Sequence, residues 1–185
     1  TDDLRAAMQI CHEHHIAIVP RGGGTSLSGQ AIGAGLVIDC SKYLRTILEL
    51  DPTEQRARVQ PGVVLEQLNT AASQHGLMFG PDVSTANRAT IAGMIGNNSA
   101  GSHSIVYGLT VDHLLNLQVV FSDGSTARLQ RERLQTILQL QSTASRVAAL
   151  YQTIRQILQK HHEQIRQRFP TILRRVSGYN LDRLL

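Results

Sequence analysis

The sequence has 185 residues, of which 42% are hydrophobic and 17% are charged, as in an ordinary globular protein. It has no apolar run of about 18 residues, so no transmembrane helix is expected. Its net charge of +4 is uneven, because residues 1–127 carry 7 basic and 11 acidic side chains whereas residues 128–185 carry 11 and 3. The two cysteines, Cys11 and Cys40, are far apart, which argues against a disulfide framework or a cysteine-rich zinc site.

Hydrophobic spacing and turn residues predict a mixture of helices and strands. The first helix would place Leu4, Ala7, Met8 and Cys11 on one face. In chain order the predicted elements are a helix over residues 2–15, strands over 16–20 and 35–40, a β-hairpin over 46–61, a helix over 62–76, a small-residue helix over 90–102, a hairpin over 113–129 and a helical arm over 131–169. Because hairpins and helix-linked strands both occur, an α+β fold is favoured over a doubly wound sheet.

The first unusual stretch is PRGGGTSLSGQ, residues 20–30, between the first two predicted strands. It lacks the third glycine of the dinucleotide fingerprint, and Gln30 stands where a phosphate-binding loop requires lysine. Its free backbone N–H groups, with the hydroxyls of Thr25 and Ser26, could form a nest for an anion. A structural tight turn is the alternative interpretation.

The second unusual stretch covers residues 81–108 and is small and polar. Gly93 and Gly96 each weaken their helix by roughly 1 kcal/mol relative to alanine. Close packing of this helix on a neighbouring strand would explain them, and so would a ligand lying against the backbone. Two such stretches in one domain favour a long ligand held between them.

These segments, together with VQPGV at residues 59–63, YG at 107–108 and VVFSDGS at 119–125, carry a resemblance. They resemble the FAD-binding domain of the vanillyl-alcohol oxidase / p-cresol methylhydroxylase superfamily, in its D-2-hydroxy-acid dehydrogenase branch. The resemblance covers residues 1–129 and resumes at RRVSGYNLDRLL, residues 174–185. It implies a two-lobed FAD-binding domain over 1–129, a helical arm over 130–185, and oxidation of a D-2-hydroxy acid to a 2-oxo acid, with the electrons passed to an acceptor.

The resemblance also implies which residues bind FAD. The first loop would wrap the pyrophosphate with its amides, and the second would hold the pyrophosphate and ribityl chain. The implied cofactor-binding residues are Arg21, Gly22, Gly23, Gly24, Thr25, Ser26, Gly29, Pro81, Asp82, Ser84, Thr90, Gly93, Asn97, Ser99, Ala100, Gly101 and Tyr107. Thr25 stands about where some members carry a flavin-linked histidine, so FAD is expected to be non-covalent. His103 is interpreted either as a flavin contact or, more commonly for such a position, as a solvated loop histidine.

Parts of the family pattern are missing from the sequence. A first strand, a last strand and the substrate-binding cap are not found, so we expect a fragment of a larger, cytoplasmic protein, with its catalytic residues elsewhere. Such a fragment is expected to lose FAD and to self-associate through open sheet edges. The helical arm also resembles, more weakly, larger relatives with an iron–sulfur region.

Alternative interpretations remain open from the sequence. The parent could be another enzyme of the superfamily, such as a sugar-alcohol oxidase. The basic residues 128–185 could instead dock on an acidic partner or nucleic acid, although a solvated helical arm is favoured and no nucleic-acid partner is expected. His12, His14 and His15 form a cluster, in which His12 and His15 could share a helix face and bind a metal. The sequence places no acidic third ligand near them, so no metal site is expected.

Overall fold

The computed structural model describes residues 2–140, 145–172 and 179–185. Its helices are α1 (Asp2–Glu13), α2 (Leu65–Ser73), α3 (Ile91–Asn97), α4 (Ser104–Tyr107), α5 (Leu134–Leu140) and α6 (Arg146–Arg168), with 3₁₀ turns at Thr110–His113 and Leu181–Leu184. Its strands are β1 (Ile18–Arg21), β2 (Leu36–Asp39), β3 (Ile47–Asp51), β4 (Arg56–Val59), β5 (Asn116–Val120) and β6 (Thr126–Gln130). The described residues form two compact units, one of residues 2–114 with 120–126 and one of residues 115–119 with 127–185. Residues 174–178 of the predicted C-terminal motif lie outside the described residues.

Helix α1 buries the face that the sequence predicts. Cys11 is 3% exposed, and Leu4, Ala7 and Met8 are half-buried. The helix ends at Glu13, two residues before the predicted end. His15 adopts a left-handed φ of 53°, a conformation that terminates helices.

Strands β1 and β2 pair in parallel, with Ile18 opposite Leu36 and Arg21 opposite Asp39. Parallel strands require a long connection. Residues 22–35 supply it without forming a helix. The predicted glycine-rich stretch is therefore a loop that begins at the carboxyl end of a strand.

The hairpin of β3 and β4 is antiparallel, as predicted. Its turn is held by Asp51, whose carboxylate accepts hydrogen bonds from the backbone N–H groups of Thr53 and Glu54 over 3.1 and 3.0 Å. Strands β5 and β6 form the second predicted hairpin, and its turn is held in the same way by Asp123.

The core of the first unit lies between α2 and α3. It consists of Val63, Leu65, Leu68, Ala89, Ile91 and Met94, all at most 6% exposed. Backbone hydrogen bonds tie the starts of the two helices together, from Leu65 N–H to Ala89 O (2.9 Å) and from Ile91 N–H to Val63 O (2.8 Å). The hydrophobic core thereby fixes where α3, and the polar stretch around it, begins.

In the described part of the second unit, α5 and α6 are two separate helices where the sequence predicts one arm. Helix α6 begins at the N-cap Ser145, whose hydroxyl accepts a hydrogen bond from Ala148 N–H over 3.1 Å. The spacing of Ala148, Tyr151, Ile154, Arg155 and Leu158 in the sequence predicts one stripe on this helix. The structure confirms it, since Ala148 is 1% exposed and Tyr151 and Leu158 are half-buried. No helix in the described part of the chain is both long and apolar enough to cross a membrane.

Candidate cofactor site

The first loop, residues 21–30, packs directly against the second loop, residues 81–103. A Cβ on Gly23 would overlap the backbone carbonyl oxygen of Arg88, and one on Gly22 would overlap the hydroxyl oxygen of Thr90. Such a close approach of the backbone to another backbone, at Gly23, or to a buried side chain, at Gly22, is open only to glycine. Gly22 and Gly23 are therefore explained by the packing of one loop on the other.

The two loops also meet at a second point. The carboxamide of Asn97 donates to the hydroxyl of Ser26 over 3.4 Å and to Gly93 O over 3.1 Å. Ser26 and Asn97 are 71 residues apart in the sequence. The structure thus brings together the two stretches that the sequence singled out.

Thr90 connects the loops to the core. It is 1% exposed, and its hydroxyl accepts the backbone N–H of Gly93 over 3.3 Å, which caps α3. The same oxygen lies against Gly22. The side chain of Thr90 is thereby enclosed by protein, so its effect on a ligand would be to position the two loops.

Asp82 holds the end of the second loop. Its carboxylate accepts hydrogen bonds from the backbone N–H of His103 and the hydroxyl of Ser102, both over 3.0 Å, and contacts Nδ1 of His103. These contacts, led by the His103 backbone N–H, lower the pKa of Asp82 to about 2. Gly101 lies so close to Asp82 that a Cβ there would overlap it.

Asn98 is a residue of this loop that sequence reasoning missed. It ends α3 in a left-handed conformation (φ 45°, ψ 53°), and its Oδ1 accepts the backbone N–H of Val111 over 3.0 Å. Its Nδ2 is buried and has no hydrogen-bond partner among the described residues. Asparagine directly after the end of a helix is a known signal for a left-handed cap, and it could have identified this position.

Comparison with known proteins identifies the domain. Residues 1–130 match the family model described as "FAD binding domain". The chain belongs to this family. The predicted α+β fold of the p-cresol methylhydroxylase type is also confirmed.

The relatives of this FAD-binding domain include long dehydrogenases. The chain is 38% identical over 169 residues to the D-2-hydroxyglutarate dehydrogenase of Pseudomonas putida, covering 91% of this chain and 17% of the relative. It is 39% identical over 130 residues to the glycolate oxidase subunit GlcD of Bacillus subtilis, covering 69% of this chain and 27% of the relative. The chain thus spans only a minor part of the curated relatives it matches.

Solved structures share the fold. The 6-hydroxy-D-nicotine oxidase of Arthrobacter nicotinovorans aligns with a TM-score of 0.64 at 22% identity, over 73% of this chain and 29% of that one. Identity at this level supports the fold and leaves the substrate open.

The first loop of this FAD-binding domain fits an anionic group. Among the described residues, none of the backbone N–H groups of residues 22–30 donates a hydrogen bond within the chain. The guanidinium of Arg21 lies over Gly24, whose φ is 66°. A row of free amides beside a positive charge matches the chemistry of the FAD pyrophosphate.

Within the two loops, two glycines leave open space where a ligand could approach the backbone. A Cβ on Gly29 or Gly96 would meet no atom within 4 Å. The resemblance implies a cofactor contact at Gly29, whose φ is 77°, whereas for Gly96 the sequence predicts only a weakened helix. The close-packed glycines at 22, 23 and 101 differ from these two, because their space is already filled by the chain.

The structure places the implied cofactor-binding residues at three levels of exposure. Pro81, Thr90 and Gly101 are buried. Arg21, Gly22, Thr25, Ser26, Asp82, Gly93, Ser99 and Ala100 are half-buried, and Gly23, Gly24, Gly29, Ser84, Asn97 and Tyr107 are exposed. The exposed and half-buried residues are those whose atoms a cofactor could reach.

The histidines near the N-terminus line a separate cavity. His12 and His15 lie with Cys11 around a space of about 330 Å³. Within residues 2–140, 145–172 and 179–185, no group of three histidine, cysteine or acidic side chains could hold a metal ion.

Proposed function

We propose that the complete protein containing this chain is an FAD-dependent dehydrogenase that oxidises a D-2-hydroxy acid to a 2-oxo acid and passes the electrons to an acceptor. One observation carries the choice of substrate class. The match to D-2-hydroxyglutarate dehydrogenase extends over 169 residues, beyond the family match at 1–130 and into the helical arm. The match to the glycolate oxidase subunit covers only 130 residues.

In this function the first loop binds the diphosphate of FAD. Its unpaired amides would donate to the phosphate oxygens, and Arg21 would neutralise their charge. The packing of Gly23 on Arg88 holds this loop against the second one. FAD, when bound, supplies the hydride acceptor for oxidation of the alcohol.

The second loop, through Asn97, Ser99 and Ala100, would lie along the ribityl chain. Asn97 is exposed, and its carboxamide is already oriented by Gly93 O. Tyr107 and Ser84, also exposed, would complete the contact. We assign no residue of this chain to the abstraction of hydrogen from the substrate.

The proposal also covers how FAD is held, where the domains lie in the chain, and how the isolated chain behaves. FAD is held without a covalent bond, because Thr25 offers no nucleophile of the kind that links flavins to proteins. The FAD-binding domain covers residues 1–129 and the helical arm residues 130–185. The protein is cytoplasmic or peripheral to a membrane and binds no nucleic acid, and the isolated chain loses FAD and self-associates.

The test uses the complete protein that contains this chain. The purified protein is expected to show the visible absorption of oxidised flavin, and acid precipitation is expected to release all of the flavin into the supernatant. D-2-hydroxyglutarate, D-lactate and glycolate are then each added without an acceptor. Bleaching by D-2-hydroxyglutarate, but not by its L-enantiomer, supports the proposal.

Two results would contradict this proposal. A complete protein that holds no flavin, even when it is purified in the presence of added FAD, contradicts the cofactor assignment. A flavin that is bleached by sugars and by none of the hydroxy acids contradicts the substrate class and favours another enzyme with the same fold.

A further inference from the structure

The imidazole of His103 is anchored by a segment 21 residues earlier in the chain. Its Nδ1 contacts the carboxylate of Asp82, which also accepts the backbone N–H of His103. The side chain is nevertheless 65% exposed. A histidine that only meets solvent requires no such anchor, so the orientation of this ring calls for an explanation.

The anchor decides which ring nitrogen carries hydrogen. Because the pKa of Asp82 is lowered to about 2, its carboxylate is ionised at neutral pH and can only accept hydrogen bonds. Nδ1 of His103 therefore carries the hydrogen, and in the neutral ring Nε2 presents a lone pair. An imidazole oriented by a carboxylate in this way is prepared to accept a proton or a hydrogen bond at Nε2.

The surroundings of the ring are suited to a ligand. His103, Val106 and Tyr107 share one side of α4 because they are three and four residues apart. Val106 is 75% exposed, Tyr107 is 45% exposed, and the rings of His103 and Tyr107 lie 6.2 Å apart between centroids. This face offers one hydrogen-bond acceptor beside apolar and aromatic surface, the combination that binding sites for flat heteroaromatic ligands use.

We propose that His103 is a cofactor-contacting residue, which accepts a hydrogen bond from the bound FAD at Nε2 while Asp82 holds Nδ1. The inference rests on the proposed function, since it requires FAD at the second loop. Asp82 and Tyr107 are the titratable groups that face the ring among the described residues. Because a protonated Nε2 can no longer accept a hydrogen bond, FAD is expected to bind more weakly in acid than at neutral pH.

The test measures FAD binding to the apo form of the complete protein by quenching of flavin fluorescence, as a function of pH. In the variant His103→Asn the amide nitrogen can still donate to Asp82, but nothing replaces Nε2. We expect its Kd for FAD to rise about tenfold at neutral pH and to lose its pH dependence. The matched control is His75→Asn, because His75 is exposed and lies beyond the end of α2, and it should retain the wild-type values.

Amide hydrogen exchange of residues 101–107 shows whether the variant keeps the native structure of this segment. If the segment is intact in His103→Asn, and the Kd of this variant for FAD and its pH dependence equal those of the wild type, the inference is overturned. If the segment unfolds in the variant, the pH dependence of the wild-type Kd for FAD is the deciding measurement. A wild-type Kd that does not vary with pH overturns the inference. A wild-type protein that binds no FAD at any pH overturns the proposed function itself and this inference with it.

Discussion

The α-carbon of Gly23 lies against the backbone carbonyl oxygen of Arg88, with no room for a Cβ between them. This contact joins two loops that are more than 60 residues apart in the sequence. It links the free amides of the first loop to the hydrophobic core, because Arg88 immediately precedes the buried pair Ala89 and Thr90.

Replacement of Gly23 by alanine should separate the two loops. The new methyl group would overlap a backbone atom that cannot rotate away, at a cost of about 1–3 kcal/mol. Amide exchange of residues 20–30 and 85–95 in the FAD-free protein is expected to accelerate accordingly. The control is Gly96→Ala, which meets no atom within 4 Å and should slow exchange in α3, since alanine is the better helix former by about 1 kcal/mol. Equal exchange in Gly23→Ala and the wild type would contradict the packing described.

Thr90 should act through its hydroxyl as the cap of α3. The variant Thr90→Val keeps the shape but loses the acceptor of the Gly93 N–H, and we expect α3 to be destabilised by about 1 kcal/mol. The variant Thr90→Ser keeps the hydroxyl and should restore the cap. Exchange of the Gly93 amide reports on the bond directly. The interpretation is wrong if valine and serine behave alike.

Arg21 should contribute positive charge to FAD binding. Arg21→Gln removes the guanidinium beside Gly24, and the Kd for FAD is expected to rise about tenfold. The Kd should also depend less on salt, because one charge–charge attraction is lost. Arg45→Gln changes the net charge equally and leaves the first loop untouched, so it is the matched control. Equal effects of the two substitutions would show that Arg21 has no specific part in binding.

Asp82 should make the end of the second loop sensitive to acid. Its pKa of about 2 lies below the ordinary value of 3.8, so the ionised carboxylate stabilises the folded state. The stabilisation of the folded state by this carboxylate is complete when the pH is above 3.8. It decreases as the pH falls below 3.8 and is lost once the pH is below about 2. The measurement is amide exchange of residues 101–107 at each pH, given as the rate in Asp82→Asn divided by the rate in the wild type. This ratio should exceed one at neutral pH and approach one in acid.

A control for this titration is available in the same unit. Asp51 holds the β3–β4 turn through the amides of Thr53 and Glu54. Asp51→Asn should leave the exchange of residues 101–107 unchanged at every pH. A ratio for Asp82→Asn that stays constant from neutral pH to acid would show that the carboxylate charge does not stabilise this turn.

Much of the local structure could be predicted from the sequence. The apolar spacing of α1 and α6 and the alternating residues of both hairpins are periodic patterns, and periodic patterns are set by residues close in the chain. The order of small-residue motifs also predicted the family, which the match over residues 1–130 confirms. The end of α1 was misplaced because the left-handed conformation of His15 leaves no periodic trace.

The roles of individual site residues could not be predicted in this way. The composition of the two loops by itself determined that they are small, rich in hydrogen-bond donors and suited to an anionic cofactor. Only the tertiary structure decided that Gly22 and Gly23 face Thr90 and Arg88, while Gly29 and Gly96 face open space. It also decided that the carboxylate of Asp82 turns to His103. The physical reason is that such contacts join residues 20 to 70 positions apart, and which atoms meet depends on how the core places α2 and α3 rather than on any local pattern.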